Sequence, residues 1–271
     1  MTLFVRHFLL ALQFFTRIPV TGALANWVGF SPAMLRASAA HFPGVGWIVG
    51  GSSGLVLFSF LSALPALPAA PWLAAIACTV FSVLLTGAFH EDGLADLADG
   101  LGGSPDRDRA IEIMKDSRIG SYGAIALVLA LLAKVALLAL LAQANATLAV
   151  LVLFAAHVTS RTTPLLVIRS LPHVGDTPQS KSKPLAESIG NGAMVAGLFW
   201  WALAMVLVVW WRPFSGVWAS AVLGSLLGLA WMWRLLHRRL QGFTGDGLGA
   251  TQQVSELLFY LGAVLSLGMA S

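Results

Sequence analysis

The sequence predicts an all-α, polytopic integral membrane protein, and its composition and apolar patterning support that prediction. Of 271 residues, 58% are hydrophobic and 10% are charged, and the mean hydropathy is +0.82. A soluble domain normally has about 25% charged residues. Several apolar stretches reach the ~20 residues that a helix needs to cross a bilayer. We therefore predict a single transmembrane domain, residues 1–271, with about seven transmembrane helices.

The elements follow from the apolar stretches in chain order. Residues 3–15 are apolar but too short to span a bilayer, so we predict an interfacial N-terminal helix there. The polar segment after the second span predicts short cytoplasmic helices, one of them with Ser104 as its N-cap. The seven predicted spans cover approximately residues 44–64, 71–89, 121–143, 146–168, 192–211, 215–233 and 252–270.

The distribution of basic residues predicts the orientation. Thirteen of the sixteen Lys and Arg residues lie in segments on one side of the predicted spans, and only Arg212 lies on the other. The positive-inside rule places the N-terminus and the loop after the second span in the cytoplasm. We therefore expect a multi-pass protein of the bacterial inner membrane whose partner is the lipid bilayer. Because the net charge of +4 is spread along one membrane face, no nucleic-acid partner is expected.

The most informative stretch is residues 90–103, which holds four acidic residues within nine positions. In a helix, Asp92, Asp96 and Asp99 would share one face, because they are spaced i, i+4 and i+7. Their like charges repel, no lysine lies between them, and carboxylate oxygens suit Mg²⁺ or Mn²⁺. The pattern therefore predicts a metal site. The alternative is a flexible acidic loop between two hydrophobic helices.

Glycines near these aspartates leave room for a bulky substrate or for a neighbouring backbone, and a second glycine-rich stretch occurs later in the chain. Gly102 and Gly103 close the acidic stretch, and residues without a Cβ permit close approach. Gly245 and Asp246 belong to the glycine-rich residues 242–251, which lead into the last span. Backbone N–H groups of such a turn can bind an anion. Asp246 is either a helix cap or a member of the metal site.

Two cations after the acidic stretch are candidates for phosphate binding. Arg118 offers a planar fork to a phosphate, and Lys115 offers a point charge. The alternative is that both neutralise nearby aspartates and anchor the loop.

Ionisable residues within the predicted spans are costly and usually functional. Glu256, at the start of the last span, is a candidate for metal or substrate contact. His157 and Arg161 are spaced i, i+4 and would share one face of the fourth span. For Lys134, a structural ion pair or snorkelling to the interface is the alternative.

Four motifs occur along the chain: FFTRIPV at 14–20, HEDGLADLADG at 90–100, IMKDSRIG at 113–120 and TGDGLGA at 244–250. In these motifs the chain resembles the cobalamin-5′-phosphate synthase family, also called adenosylcobinamide-GDP ribazoletransferases. The resemblance runs nearly end to end. Two positions, Glu91 and Gln253, depart from the pattern expected of that family.

The resemblance implies the last assembly step of cobalamin. The enzyme would join α-ribazole or α-ribazole 5′-phosphate to adenosylcobinamide-GDP and release GMP, with Mg²⁺ as cofactor. Asp92, Asp96 and Asp99 would be metal ligands, one of which can also serve as base. Arg118, with Lys115, would hold a phosphate of the GDP moiety. A homo-oligomer is one alternative for the assembly.

Two other functions remain as alternatives. CDP-alcohol phosphotransferases also array aspartates around a divalent metal, but their signature Asp-Gly-x-x-Ala-Arg has arginine where this chain has Asp96. A secondary transporter is supported only by the hydropathy and by the ionisable residues within the spans. Against a transporter, the two halves of the sequence show no visible repeat.

Overall fold

The computed structural model describes residues 2–174, 189–213 and 216–268. Within these ranges the chain is helical and has no strand, apart from one isolated bridge between His173 and Phe243. The all-α prediction is therefore confirmed. A 3₁₀ turn, Ala39–His41, joins α3 to α4. The helices are α1 (Thr2–Phe15), α2 (Gly22–Val28), α3 (Pro32–Ser38), α4 (Phe42–Ala63), α5 (Ala70–Thr86), α6 (Phe89–Gly103), α7 (Arg107–Met114), α8 (Ser121–Ala144), α9 (Ala146–Ser170), α10 (Asn191–Trp211), α11 (Val217–Leu240) and α12 (Gly245–Gly268).

Every predicted span corresponds to a helix, and most of these helices can cross a membrane. Five stretches are long and apolar enough to do so: the run Pro32–Ala63, which contains α3 and α4, and the helices α8, α9, α10 and α11. The helix α5 qualifies only together with α6, as a pair bent by 87°. The helix α12 is as long as α8 but carries a cluster of polar residues. The protein is thus a multi-pass helical membrane protein, and its described residues contain five such stretches, or six if the bent pair is counted.

The helices α9 and α12 form the polar centre of the bundle. Of an apolar 18-residue stretch in each helix, 83% is buried in α9, against 17% in α10 and 28% in α8 and α11. The outer helices instead expose large apolar side chains such as Leu129, Phe199 and Trp210, as a lipid-facing surface requires. Ionisable residues in α9 and α12 can therefore be buried against each other, away from lipid.

Small residues let α4 approach α9 closely. A Cβ atom added to Gly46 would lie 2.6 Å from the carbonyl oxygen of His157, and one added to Gly50 would lie 3.0 Å from that of Phe154. These glycines are spaced i, i+4 on one face of α4. Close backbone approach of this kind is how membrane helices gain packing energy without a hydrophobic driving force.

A sharp break separates α5 from α6, at the start of the acidic stretch. Gly87 and Ala88 both have left-handed backbone, with φ of 66° and 58°. Two consecutive residues of this kind end a right-handed helix. The predicted span 71–89 therefore ends three residues too late, because the sequence is apolar through the break. The helix α6 leaves α5 at a steep angle and packs against α8 and α12.

The first residues of α7 correct one detail of the prediction. Asp106, not Ser104, is its N-cap, and its carboxylate accepts a hydrogen bond from the Arg109 N–H at 2.8 Å. The Ser104 hydroxyl instead accepts from the Asp106 N–H, two residues on, and forms the turn before the helix.

Three connections meet on one face of the bundle. Arg239, at the end of α11, donates to the carbonyl oxygens of Leu101 and Ser104, at the end of the acidic stretch and just after it. Arg107 donates back to the Leu240 carbonyl at 2.7 Å. The connection after α9 joins them, because Val174 donates to the carbonyl of Phe243. Lys181 and Lys183, two of the thirteen basic residues assigned to the cytoplasmic side, lie outside the described residues.

Candidate active site

The acidic residues of α6 and α12 come together where these two helices cross. A Cβ atom added to Gly93 would lie 3.1 Å from the Cα atom of Asp246 and 3.3 Å from that of Gly249. A side chain at this position would force the two helices apart by a few tenths of an ångström. This close crossing brings Asp246 next to Asp92 and Asp96, and we call these three carboxylates the acidic cluster.

The acidic cluster carries charge that no basic side chain of residues 2–174, 189–213 and 216–268 neutralises by direct contact. In the described part of the chain, none of the three carboxylates has an ion-pair or hydrogen-bond partner. The pKa of Asp96 is raised to about 7, first by burial and then by the carboxylates of Asp92, Asp246 and Asp99. The pKa of Asp246 is raised to about 6 by burial and by Asp92. A site of this kind attracts protons or metal cations.

Thr244, not Asp246, caps α12. Its hydroxyl accepts a hydrogen bond from the Gly247 N–H at 3.0 Å. Of the two alternatives for Asp246, the structure therefore favours membership of the acidic cluster, because its carboxylate is not needed as a cap.

Asp99 shares the helix of the acidic cluster but has a different set of partners. Its two carboxylate oxygens accept hydrogen bonds from the N–H groups of Gly120 and Gly123, at 2.7 and 2.8 Å. It thus satisfies the first backbone donors of α8, the usual role of an aspartate at a helix N-terminus. A Cβ atom at either glycine would collide with this carboxylate.

The donor chemistry of the acidic cluster fits a hard divalent cation, but its ligands do not converge. Carboxylate oxygens without a neutralising partner are the donors that Mg²⁺ prefers. Within the described ranges, however, no group of three or more His, Cys, Asp or Glu side chains is placed to hold a metal ion. The role of Asp92, Asp96 and Asp99 as metal ligands remains a prediction.

Glu256 does not join the acidic cluster. Its Oε1 atom lies 2.7 Å from the Lys134 ammonium, and both side chains are at most 3% exposed. The same carboxylate accepts hydrogen bonds from Tyr260 at 2.9 Å and from Gln252 at 2.6 Å. The structure therefore assigns Glu256 to a buried ion pair rather than to a metal. For Lys134, it supports the structural alternative.

His157 and Arg161 share one face of α9, as their spacing predicts. Arg161 donates to the His157 carbonyl at 3.0 Å, and its Nη1 atom lies 3.0 Å from the His157 ring nitrogen Nδ1. That ring nitrogen is 3.6 Å from Glu256. On the other side, Gln253 donates to Glu91 of α6 at 3.1 Å. A buried polar network thus lies against the helices that carry the acidic cluster.

The phosphate-binding candidates line an open groove beside α7. The groove has a volume of about 720 Å³, and Lys115, Arg118 and Gly103 are among its lining residues. Arg118 lies beyond the end of α7, and within the described residues its guanidinium bonds to Asp116 rather than to the C-terminal carbonyls of that helix. Its guanidinium forms a fork with Asp116, with the shortest distance 2.6 Å, and the Arg118 side chain is 87% exposed. Gly102 faces the ring of Tyr122, which fills the space that its missing side chain leaves.

A second, apolar pocket lies between α1, α4, α6, α9 and α12. Its volume is about 50 Å³, which is too small for a nucleoside. Phenylalanines line it, together with Gly245 and the polar side chains of His90, Arg161 and Gln252. The aromatic residues of the motif at 14–20 are therefore used to pack α1 against the start of α6.

Comparison with known proteins identifies the family. A model of the family described as cobalamin-5-phosphate synthase matches residues 7–264. A protein of Albidiferax ferrireducens named adenosylcobinamide-GDP ribazoletransferase is 58% identical, over 98% of this chain and 100% of the relative. Proteins of the same name from a Polaromonas species and from Vibrio cholerae are 54% and 44% identical, over 97% and 94% of this chain and 98% and 91% of the relatives. The chain belongs to the cobalamin-5-phosphate synthase family. No solved structure matches it.

For a member of this family, the structure adds residues that sequence reasoning missed. Glu91, Gln252, Gln253 and Tyr260 take part in the buried network, but the sequence singled out only the first and third, as departures from a pattern. The available signal was helical spacing, because Gln252, Glu256 and Tyr260 are spaced i, i+4 and i+8 on α12.

Proposed function

We propose that this chain is an adenosylcobinamide-GDP ribazoletransferase. It would join α-ribazole, or its 5′-phosphate, to adenosylcobinamide-GDP and form adenosylcobalamin, or its 5′-phosphate, and GMP. The observation that carries this proposal is the near full-length identity to relatives of that name. The acidic cluster and the groove with Lys115 and Arg118 supply the chemistry that the reaction needs.

In the proposed reaction, a ribose hydroxyl of the ribazole attacks the phosphorus nearest the cobinamide. The bond from that phosphorus to the bridging oxygen breaks, and GMP leaves with the bridging oxygen. The hydroxyl must lose a proton. One aspartate of the acidic cluster would accept it as general base.

We propose that Asp92, Asp96 and Asp246 hold Mg²⁺, with Asp99 positioning α8 beside them. The support is the uncompensated charge of the acidic cluster. A bound Mg²⁺ would offset the charge of the pyrophosphate and of the departing phosphate. Arg118 and Lys115 would hold the phosphates of the GDP moiety, since both line the groove that also contains Asp99.

We further propose that the protein lies in the bacterial inner membrane with this site on the cytoplasmic face. The support is the charge distribution of the sequence. Reporter fusions test it. A reporter after Gly103 should give a cytoplasmic signal, whereas an external signal there would overturn the orientation.

Purified protein in detergent tests the reaction itself. With adenosylcobinamide-GDP, α-ribazole and Mg²⁺, GMP should appear, and omitting α-ribazole or adding EDTA should abolish it. A CDP-alcohol donor offered with a lipid acceptor serves as the control for the alternative lipid enzyme. CMP release from that control, without GMP release from the first mixture, would overturn the proposal.

A further inference from the structure

Four charged side chains are buried together between α6, α8, α9 and α12. They are Glu91, Lys134, Arg161 and Glu256, and none is more than 7% exposed. Two are cations and two are carboxylates, so their charges cancel when all are ionised. The cavity among them has no room for a water molecule. A buried charge is very costly unless it is compensated, so each member of such a group matters.

The two carboxylates have different roles in this balance. Glu256 neutralises Lys134 directly, at 2.7 Å. Arg161 forms no direct ion pair within the described residues, and its Nε atom is buried without a hydrogen-bond partner. Glu91 and Arg161 line the same closed cavity as Lys134 and Glu256. Glu256 attracts both cations most strongly, but it is one charge against two. Glu91 is the other carboxylate of the group, so it supplies the charge that balances the second cation.

Glu91 also connects two helices of the proposed active site. Its Oε1 atom accepts a hydrogen bond from Gln253 of α12 at 3.1 Å, while its Oε2 atom is buried without a hydrogen-bond partner. Gln253 donates in turn to Gln252, which donates to Glu256. One continuous chain of contacts thus runs from α6 through α12 to Lys134 of α8.

We infer that Glu91 is a positioning residue: it supplies the second counter-charge of the buried network and, through Gln253, fixes α6 against α12. Glu91 directly precedes Asp92, and Gln253 lies two turns after Asp246. The contact therefore sets the separation of the carboxylates that the two helices bring to the acidic cluster. The positioning half of this inference rests on the proposed function, whereas the counter-charge half does not.

An exchange of isosteric side chains tests the counter-charge. Glu91→Gln leaves two buried cations against one carboxylate, and Gln253→Glu places two carboxylates in contact. Each single variant should lower the unfolding temperature in detergent by about 5–15 °C. The double variant, Glu91→Gln with Gln253→Glu, again has two carboxylates against two cations, because the carboxylate is now at position 253 instead of 91. It should recover most of the lost unfolding temperature. Gln143→Glu, on an exposed position of α8, is the matched control and should unfold like wild type.

Turnover at saturating Mg²⁺ tests positioning. Glu91→Gln should lower kcat about tenfold or more while leaving the KM for both substrates within about twofold, and the double variant should recover kcat. If Glu91→Gln is as stable as wild type, or the double variant is no more stable than Glu91→Gln, the counter-charge inference is wrong. If Glu91→Gln is less stable than wild type and the double variant recovers stability, but kcat is the same in all of them, Glu91 is structural only. If wild type releases no GMP, the proposed function fails, and the stability comparison still decides the counter-charge.

Discussion

Removing the Lys134 charge should destabilise the protein strongly, although the residue lies away from the acidic cluster. The Lys134 ammonium and the Glu256 carboxylate are 2.7 Å apart and at most 3% exposed. Lys134→Met keeps most of the side-chain volume but leaves Glu256 buried without its cation. Breaking one partner of a buried pair typically costs about 3–5 kcal/mol. At about 2–4 °C per kcal/mol for a protein of this size, the unfolding temperature should fall by roughly 6–20 °C.

The measurement is thermal unfolding in detergent, for three variants side by side. Lys134→Met and Glu256→Gln should both unfold early, and the double variant should be more stable than either, because it buries no unpaired charge. Arg212→Met, at the exposed end of α10, is the matched control for loss of a cation. If Lys134→Met unfolds like wild type and Glu256→Gln changes only the Mg²⁺ requirement, Glu256 is a metal ligand after all. The buried-pair assignment would then be refuted.

Three further predictions concern the proposed active site. Asp92→Asn and Asp96→Asn should each lower turnover by about 100-fold or more, while the protein stays folded and membrane-inserted. Near-normal rates in both variants at limiting Mg²⁺ would contradict the metal assignment. Because the pKa of Asp96 is raised from 3.8 to about 7, the folded state binds this proton more tightly than the unfolded state. In EDTA, the unfolding temperature should therefore fall as pH rises from 4 to 7, and the part of that fall between pH 6 and 7 should be absent in Asp96→Asn. Arg118→Lys should unfold like wild type, because its side chain is 87% exposed. It should raise the KM for adenosylcobinamide-GDP about 5–20-fold without changing that for α-ribazole; two unchanged Michaelis constants would place phosphate binding elsewhere.

The sequence predicts the helices well, because the bilayer leaves few alternatives. A long apolar stretch in lipid must satisfy its own backbone hydrogen bonds, and a helix does so within one segment. That is why each apolar stretch from residue 44 onward became a helix. The break at Gly87 was missed, because its cause is a pair of left-handed residues within a sequence that stays apolar.

The sequence predicted which acidic residues belong to the site better than it predicted how they are arranged. The i, i+4 spacing placed Asp92 and Asp96 on one helix, and the structure adds Asp246 at the crossing with α12. Asp99 was grouped with them by spacing alone, whereas its hydrogen bonds are to the N-terminus of α8. These differences depend on which helices cross, and periodicity within one helix carries no information about its neighbours.

The sequence also could not predict which residues, far apart along the chain, contact each other. Charged residues within a membrane are costly, so Lys134, Arg161 and Glu256 were predicted to be important. The sequence does not show which cation pairs with which carboxylate. The contact between Glu91 and Gln253 joins positions 162 residues apart. Only the packing of α6 against α12 reveals it.

We expect this chain to form a phosphodiester from adenosylcobinamide-GDP and a ribazole hydroxyl. The most direct test uses α-ribazole whose ribose hydroxyls carry ¹⁸O, with product analysis by mass spectrometry. One GMP should form for each corrinoid product, with the label retained in the bridge of that product and absent from GMP. Label in GMP, or GMP formed at the same rate without α-ribazole, would contradict it.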